Sequence, residues 1–316
     1  MRHQHFPVII ATVVATLILA PPVTGQVADP GPPAGTADPV LQVTLERLVD
    51  GFGGDAGIYV RHLGTGATAA IRADETFPTA SLIKIPLLLG LFDQVERRVL
   101  DLDARVAYPD TLTYAYTEAT DVVGYMQPGD TLPLSQLAFL MLATSDNLAS
   151  LWIQAMVGGG AVVNEWLAMS GLRHTRVNSR TPGRDEARSE FGWGQTSPRE
   201  MAELLVMIRE GRAVSERASE RMYRLLTNSY WDREALSQIP PTVQAASKQG
   251  FVSRSRSEVV LVNGPSGDFV VAIFTKNQAD TSYDVDNEGF RLIRRVARAV
   301  YEHFEPADPW RPARDE

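Results

Sequence analysis

The sequence contains no cysteine in its 316 residues. That absence removes thiolate catalysis, disulfide cross-links, cysteine-ligated zinc and a lipid-modified N-terminal cysteine, and it leaves core packing as the source of stability. Lysine is nearly absent as well: of the 30 basic residues only Lys84, Lys248 and Lys276 are lysines. Histidine is limited to His3, His5, His62, His174 and His303, and outside the extreme N-terminus no two lie close enough to suggest a ligand pair. No metal and no cofactor is therefore expected. There is also no basic stripe: 38 acidic residues against 30 basic ones, spread along the chain, give a net charge of -8, which excludes nucleic acid as a partner.

Long apolar runs are missing too. The longest, Val8 to Ala20, follows Met1-Arg2-His3 and is shorter than the roughly 20 residues a membrane span requires. It ends in small residues near Thr24-Gly25, so residues 1–25 read as a signal peptide, with a periplasmic or secreted destination and no stable membrane insertion after cleavage. Residues 26–39 read as a flexible Pro/Gly/Ala linker. Residues 40–306 are long enough and, at 44% hydrophobic content for the chain, apolar enough for one sizeable domain, with 307–316 as a C-terminal tail.

Within that domain, apolar residues at Val40, Val43, Leu45 and Leu48 recur at helical spacing and stop at Gly51. Ala56–Arg61 and Ala67–Ile71 flank Gly64-Thr65-Gly66, a hairpin signature. From Ser81 to about Arg224 the patterns are helical: 83–99, 134–143, 148–156, 162–169 and 198–210, without convincing strands. Strand patterns return at 243–248, 258–263 and 269–275, and an amphipathic helix is expected over 287–304. The expected fold class is α+β. An antiparallel sheet built from both chain ends and flanked by helices makes three α/β/α layers, and an all-helical subdomain over about 81–224 is inserted.

The scarcity of lysine makes its positions informative, because arginine cannot give up its proton whereas a buried lysine can act as a base or proton relay. Lys84 stands one helical turn after Ser81 in Ser81-Leu82-Ile83-Lys84, so amine and hydroxyl can meet on one face. The helix start adds N–H groups for a developing oxyanion. Such a pair is common on solvated helices, but Phe77-Pro78 before it and Ile85-Pro86-Leu87-Leu88-Leu89 after it predict that this turn is buried. Ser145-Asp146-Asn147 follows between two apolar helical stretches. It is either a helix cap or a second hydroxyl for proton relay with an amide for a substrate carbonyl. Lys248-Gln249-Gly250 ends a strand, where a cation can meet a carboxylate and glycine lets the strand edge approach a ligand.

These three motifs, in this order, resemble the Ser-x-x-Lys, Ser-Asp-Asn and Lys-Thr-Gly set of class A β-lactamases and penicillin-binding proteins, over roughly residues 40–304. The resemblance implies a serine hydrolase that forms an acyl-enzyme with β-lactams and hydrolyses the lactam amide, acting on a small β-lactam or D-alanyl-peptide-like substrate as a monomer. By position, it makes Ser81 the nucleophile, Lys84 its proton acceptor or relay, and Ser145 the proton donor to the leaving nitrogen. Asn147, Lys248 and Gly250 become substrate-binding residues, with the N–H groups of Ser81 and Phe251 as the oxyanion hole. Asp146 is mainly structural in this setting. Arg254 and Arg256 either supplement Lys248 or lie on the surface, and Tyr114 and Tyr116 are candidate cleft walls.

Two departures stand out. Lys-Gln-Gly replaces Lys-Thr-Gly. Also, the loop glutamate that activates the deacylating water in class A enzymes has no counterpart: counting back from Thr196-Ser197-Pro198-Arg199-Glu200-Met201-Ala202 reaches Thr181. Asp185, Glu186 and Glu190 farther along are either substitutes or solvated loop charges, with Glu186 the first choice. If deacylation fails, the alternatives are a D-alanyl peptidase or esterase, or a penicillin-binding receptor with a long-lived acyl state.

Overall fold

The computed structural model describes residues 35–109, 111–112 and 121–313. The leader and the two tyrosines at 114 and 116 lie outside the described residues. The chain begins with Thr36–Ala37 (β1) and Pro39–Val49 (α1), whose start is fixed by Asp38: its carboxylate accepts from the Leu41 N–H at 2.9 Å and Pro39 occupies the first turn. Asp55–His62 (β2) and Ala67–Ile71 (β3) form the expected hairpin. The last residues of the stretch read as a linker are not free, since β1 pairs in parallel with β3.

Short elements follow. Phe77–Pro78 (β4) leads into a 3-10 turn, Ala80–Ile83, and the helix Lys84–Glu96 (α2). Arg105–Ala107 (β5) pairs with Thr131–Pro133 (β6) before Leu134–Ala143 (α3), Asn147–Met156 (α4) and Gly160–Met169 (α5). Arg176–Val177 (β7), Asp185–Phe191 (α6) and Gly194–Thr196 (β8) come next, then Pro198–Arg209 (α7) and Glu216–Leu226 (α8). The middle of the chain thus holds strands that were not expected from its sequence. Each is only two or three residues long, too short for an alternating pattern. The helices α6 and α8 were also missed: α6 buries no residue, and α8 buries only Ala218, Ser219, Met222 and Leu226 in a mostly charged sequence.

The chain returns to the main sheet with Ala245–Val252 (β9), Ser255–Gly264 (β10) and Gly267–Lys276 (β11), and closes with Glu288–Phe304 (α9) under an Asn287 cap. The sheet order is β1-β3-β2-β11-β10-β9, antiparallel apart from β1, so β9 is an edge strand. Alternation along the strands feeds two cores. Val259 and Leu261 join Val270, Ala272 and Phe274 against the helical part, whereas Val260 and Val262 join Ile58, Val271 and Ile273 against α1 and α9. This is the three-layer arrangement expected. At about 1.5–3 kcal/mol per fully buried large apolar side chain, both cores hold the sheet in place beneath the nucleophile turn.

Candidate active site

The Ser81 turn is fastened from two sides. The Thr79 N–H donates to the Gly194 carbonyl at 2.9 Å beside the β4–β8 pairing, and Ala80 takes a left-handed φ of 44° to enter the 3-10 turn. The apolar flank read from the sequence buries Leu82, Ile83 and the whole start of α2, including Lys84 at 0% exposure. One turn on from Ser81, the Lys84 amine donates to Ser81 Oγ at 2.9 Å.

Ser145 sits between α3 and α4 with φ 63°, a left-handed conformation that turns both its carbonyl and its hydroxyl toward Lys84, whose Nζ reaches them at 2.5 and 3.0 Å. The strain is held by its neighbours. Asp146 caps α4 through the Ala149 N–H at 2.8 Å and accepts from the Val123 N–H at 2.9 Å, while the Asn147 N–H donates to Asp121 at 2.7 Å. Asp146 is therefore the structural residue expected. Its burial raises its carboxyl pKa, and the Ala149 and Val123 N–H groups pull it back. The Asn147 Oδ1 accepts from Lys84 at 2.9 Å, so four oxygens surround the Lys84 nitrogen within 3.0 Å.

Lys248 arrives from β9. Its Nζ donates to Ser145 Oγ at 3.0 Å and to the Gln249 carbonyl at 2.9 Å, so one hydroxyl bridges the two lysines. Lys248 is 1% exposed, and burial, followed by the Lys84 charge, holds its ammonium pKa well below the usual lysine range, with Glu258 opposing. Gly250 brings the strand edge against the nucleophile: a Cβ there would lie 2.4 Å from Thr79 O and 2.7 Å from the Ser81 nitrogen. Phe251 follows on the same strand with its ring against Phe290, centroids 4.8 Å apart.

A cavity of about 420 Å³ opens over this corner, and Ser81, Ser145, Asn147, Gly250 and Phe251 all line it. All seven site residues expected from the sequence are brought together. The sequence did not point to Trp231, Arg233, Glu234 and Glu258, which line the same cavity. The first three come from the segment after α8, which is tied to the Ser145 turn by Tyr230 N–H to Ala143 O and Trp231 Nε1 to Thr144 O, each at 3.0 Å.

The remaining expectations, Arg256 apart, divide between their alternatives. Arg256 is neither on the surface nor among the cavity-lining residues: it is 0% exposed, donates to the Val252, Ser255 and Ser282 carbonyls and lies on the Tyr283 and Phe290 rings. Arg254 is exposed, which is its surface alternative, and donates to the Asn277 and Gln278 carbonyls. Asp185, Glu186 and Glu190 lie exposed on α6 rather than in a loop. Thr181, the residue reached by counting back from Thr196, is buried and donates to the Ser179 carbonyl at 2.9 Å. Among the described residues, no helix is long and apolar enough to cross a membrane.

Comparison with known proteins gives a consistent picture. The family model described as the beta-lactamase enzyme family matches residues 40–304. The extended-spectrum beta-lactamase PER-1 of Pseudomonas aeruginosa is 24% identical over 274 residues, 84% of this chain and 87% of that protein. Among solved structures, PBP-A superposes with a TM-score of 0.76 at 28% identity, covering 87% of this chain and 99% of PBP-A. One such structure is a leucine-to-glutamate variant captured as an acyl-enzyme with penicillin G. A beta-lactamase from Sphaerobacter thermophilus superposes with a TM-score of 0.75 at 25% identity, covering 86% of this chain and 100% of the other.

Proposed function

Because the chain belongs to the beta-lactamase enzyme family, we propose that it is a serine β-lactam hydrolase in which Ser81 is acylated by the lactam carbonyl. One observation carries the reading: Lys84 Nζ stands 2.9 Å from Ser81 Oγ, while Ser145 Oγ connects Lys84 to Lys248. As Ser81 Oγ bonds to the carbonyl carbon, Lys84 in its neutral form takes the hydroxyl proton. As the carbon–nitrogen bond of the ring breaks, Ser145 delivers a proton to the nitrogen and is reprotonated from Lys84 or Lys248. The Ser81 and Phe251 N–H groups hold the oxyanion, Asn147 holds the side-chain amide, and Lys248 holds the ring carboxylate.

Hydrolysis of the ester then requires an activated water. The position at which the family's loop glutamate is expected carries Thr181, whose hydroxyl is committed to Ser179 O, and the loop carboxylates are exposed on α6. The slow step is deacylation, with Lys84 as the base available to the water. A second reading, a penicillin-binding receptor with a long-lived acyl state, is favoured by the same threonine and by the likeness to PBP-A. A time course with a chromogenic cephalosporin, read together with intact mass, separates the two. Repeated turnover supports the hydrolase; one equivalent released with a persistent adduct on Ser81 supports the receptor. Release of D-alanine from a D-alanyl-D-alanine peptide without lactam turnover would point to the peptidase instead. We further propose export as a monomer after removal of residues 1–25. Intact mass and sedimentation of the protein purified from the cell envelope test both points.

A further inference from the structure

Among the described residues Glu258 is the one cavity-lining carboxylate on the main sheet, and the mechanism above does not use it. It lies on β10 opposite Gln249, one residue before the Val259 that pairs with Lys248. Only 2% of it is exposed, yet it touches two separate parts of the site. Its Oε1 accepts from the Ser247 hydroxyl at 2.6 Å, on the residue before Lys248, and its Oε2 accepts from the Ala235 N–H at 2.9 Å, at the end of the segment carrying Trp231, Arg233 and Glu234. Glu258 thus clasps the edge strand to the opposite wall of the cavity. Successive residues on a strand point to opposite faces, so its carboxylate acts on Lys248 across the sheet as a charge in a buried, low-dielectric setting rather than by contact.

We infer that Glu258 is a positioning residue for this reaction, tethering β9 to the Trp231–Glu234 wall and supplying the counter-charge that keeps the Lys248 ammonium protonated for a carboxylate-bearing substrate. The inference rests on the reading of Lys248 as the carboxylate-binding residue. The charges around Glu258 are few. Glu234 repels it but is itself paired with Arg294 at 2.7 Å, Lys248 attracts it, and Arg256 lies two residues away on its own strand. Burial pushes the Glu258 carboxyl up to about 7, with the Ser247 and Ala235 bonds opposing. Below that pH the carboxyl is neutral and offers Lys248 no counter-charge. As pH rises through it, Glu258 ionises and extends the range over which Lys248 stays charged, against the burial and the Lys84 charge that lower it.

Glu258→Gln keeps the shape and removes the charge. With benzylpenicillin, acylation by the variant and the parent should agree within about twofold near pH 5.5, and the alkaline limb of the variant should move to lower pH by about one unit. Superimposed profiles, or a loss of equal size at every pH, would overturn the inference. A titration of the parent protein supplies a second reading, independent of activity and of whether Glu258→Gln folds. With only three lysines in the chain, lysine labelled with carbon-13 at Cε gives few resonances. The one lost in Lys248→Arg should show an inflection near pH 7 as Glu258 ionises. A Lys248 resonance that is flat through that range sinks the proposal even if lactam turnover is confirmed. An inflection in a protein with no lactam activity sustains the coupling and points the failure at the functional reading.

Discussion

The Ser81–Lys84–Ser145–Lys248 corner and the segment from Asn178 to Phe191, where the sequence led a deacylating base to be sought, are built on opposite principles. In the first, two lysines exposed by 1% or less share one hydroxyl, and each polar neighbour is held by a helix cap or a strand edge. In the second, the buried residues Asn178, Ser179 and Thr181 are occupied with local hydrogen bonds, and the carboxylates stand on a helix that buries nothing. Forming the acyl-enzyme needs groups whose protonation is tuned by burial, and the first region supplies them. Breaking it needs a base beside a water, and the second region offers hydroxyls and solvated charges. On the proposed mechanism both half-reactions therefore draw on the first region, with Lys84 as the base in each.

The sharpest break comes from Ser81→Ala. It should abolish the covalent penicillin adduct in intact-mass spectra while circular dichroism and the melting curve stay those of the parent; a persistent adduct of the same mass would remove the nucleophile from this corner. Next, Lys84→Arg keeps a cation but loses a titratable amine, so acylation should fall by roughly 10²–10⁴-fold. Stopped-flow acylation within a few-fold of the parent would make Lys84 a structural residue. Gly250→Ala adds a carbon that would stand 2.4 Å from Thr79 O and 2.7 Å from Ser81 N, so the strand edge must retreat. A displacement of that order costs on the order of 10²-fold in acylation, and retention of the parental rate would show that β9 does not set the position of the nucleophile. The smallest effect is expected in the other region: Asp185→Asn, Glu186→Gln and Glu190→Gln should each leave acylation and deacylation within about twofold of the parent, as surface changes do. An acyl-enzyme that accumulates in any one of them, with acylation normal, would restore that carboxylate as the water's base and erase the contrast.

How much of this was legible from the chain follows from how locally each part is encoded. The three motifs are contiguous, two at helix starts and the third, read as a strand end, inside β9, so Ser81, Lys84, Ser145, Asn147, Lys248 and Gly250 were visible in the sequence. The rarity of lysine sharpened the reading, since two of the three lysines turn out to be the buried ones. The long sheet strands and the apolar helices were legible for the same reason: their periodicity is carried by side chains that enter one of two cores. Trp231, Arg233 and Glu234 were not, because their place in the cavity depends on how a nonperiodic segment after α8 docks on Ala143 and Thr144, a tertiary contact with no local signature, and Glu258 was not because a carboxylate within a strand pattern does not reveal which cavity it borders. Arg256 misled in the opposite direction. A guanidinium on an arginine-rich chain reads as surface or ligand-binding, yet here it is buried between two rings and three carbonyls, holding the β9–β10 turn to the Ser282 segment.

The close approach at Gly250 bears on how this chain can change under selection. Along β9 the pleat alternates: Lys248 and Gly250 face the nucleophile turn, while Gln249 reaches the cavity from the other face with a side-chain oxygen that has no hydrogen-bond partner. Position 249, though buried, therefore loses no bond to that oxygen on replacement, whereas at position 250 a Cβ would meet Thr79 O and Ser81 N. A directed-evolution library aimed at altered substrate preference should randomise 249 and leave its neighbour fixed. Most members of such a library would still carry a working nucleophile, whereas in the reverse design nearly every member would displace the strand on which the site is assembled.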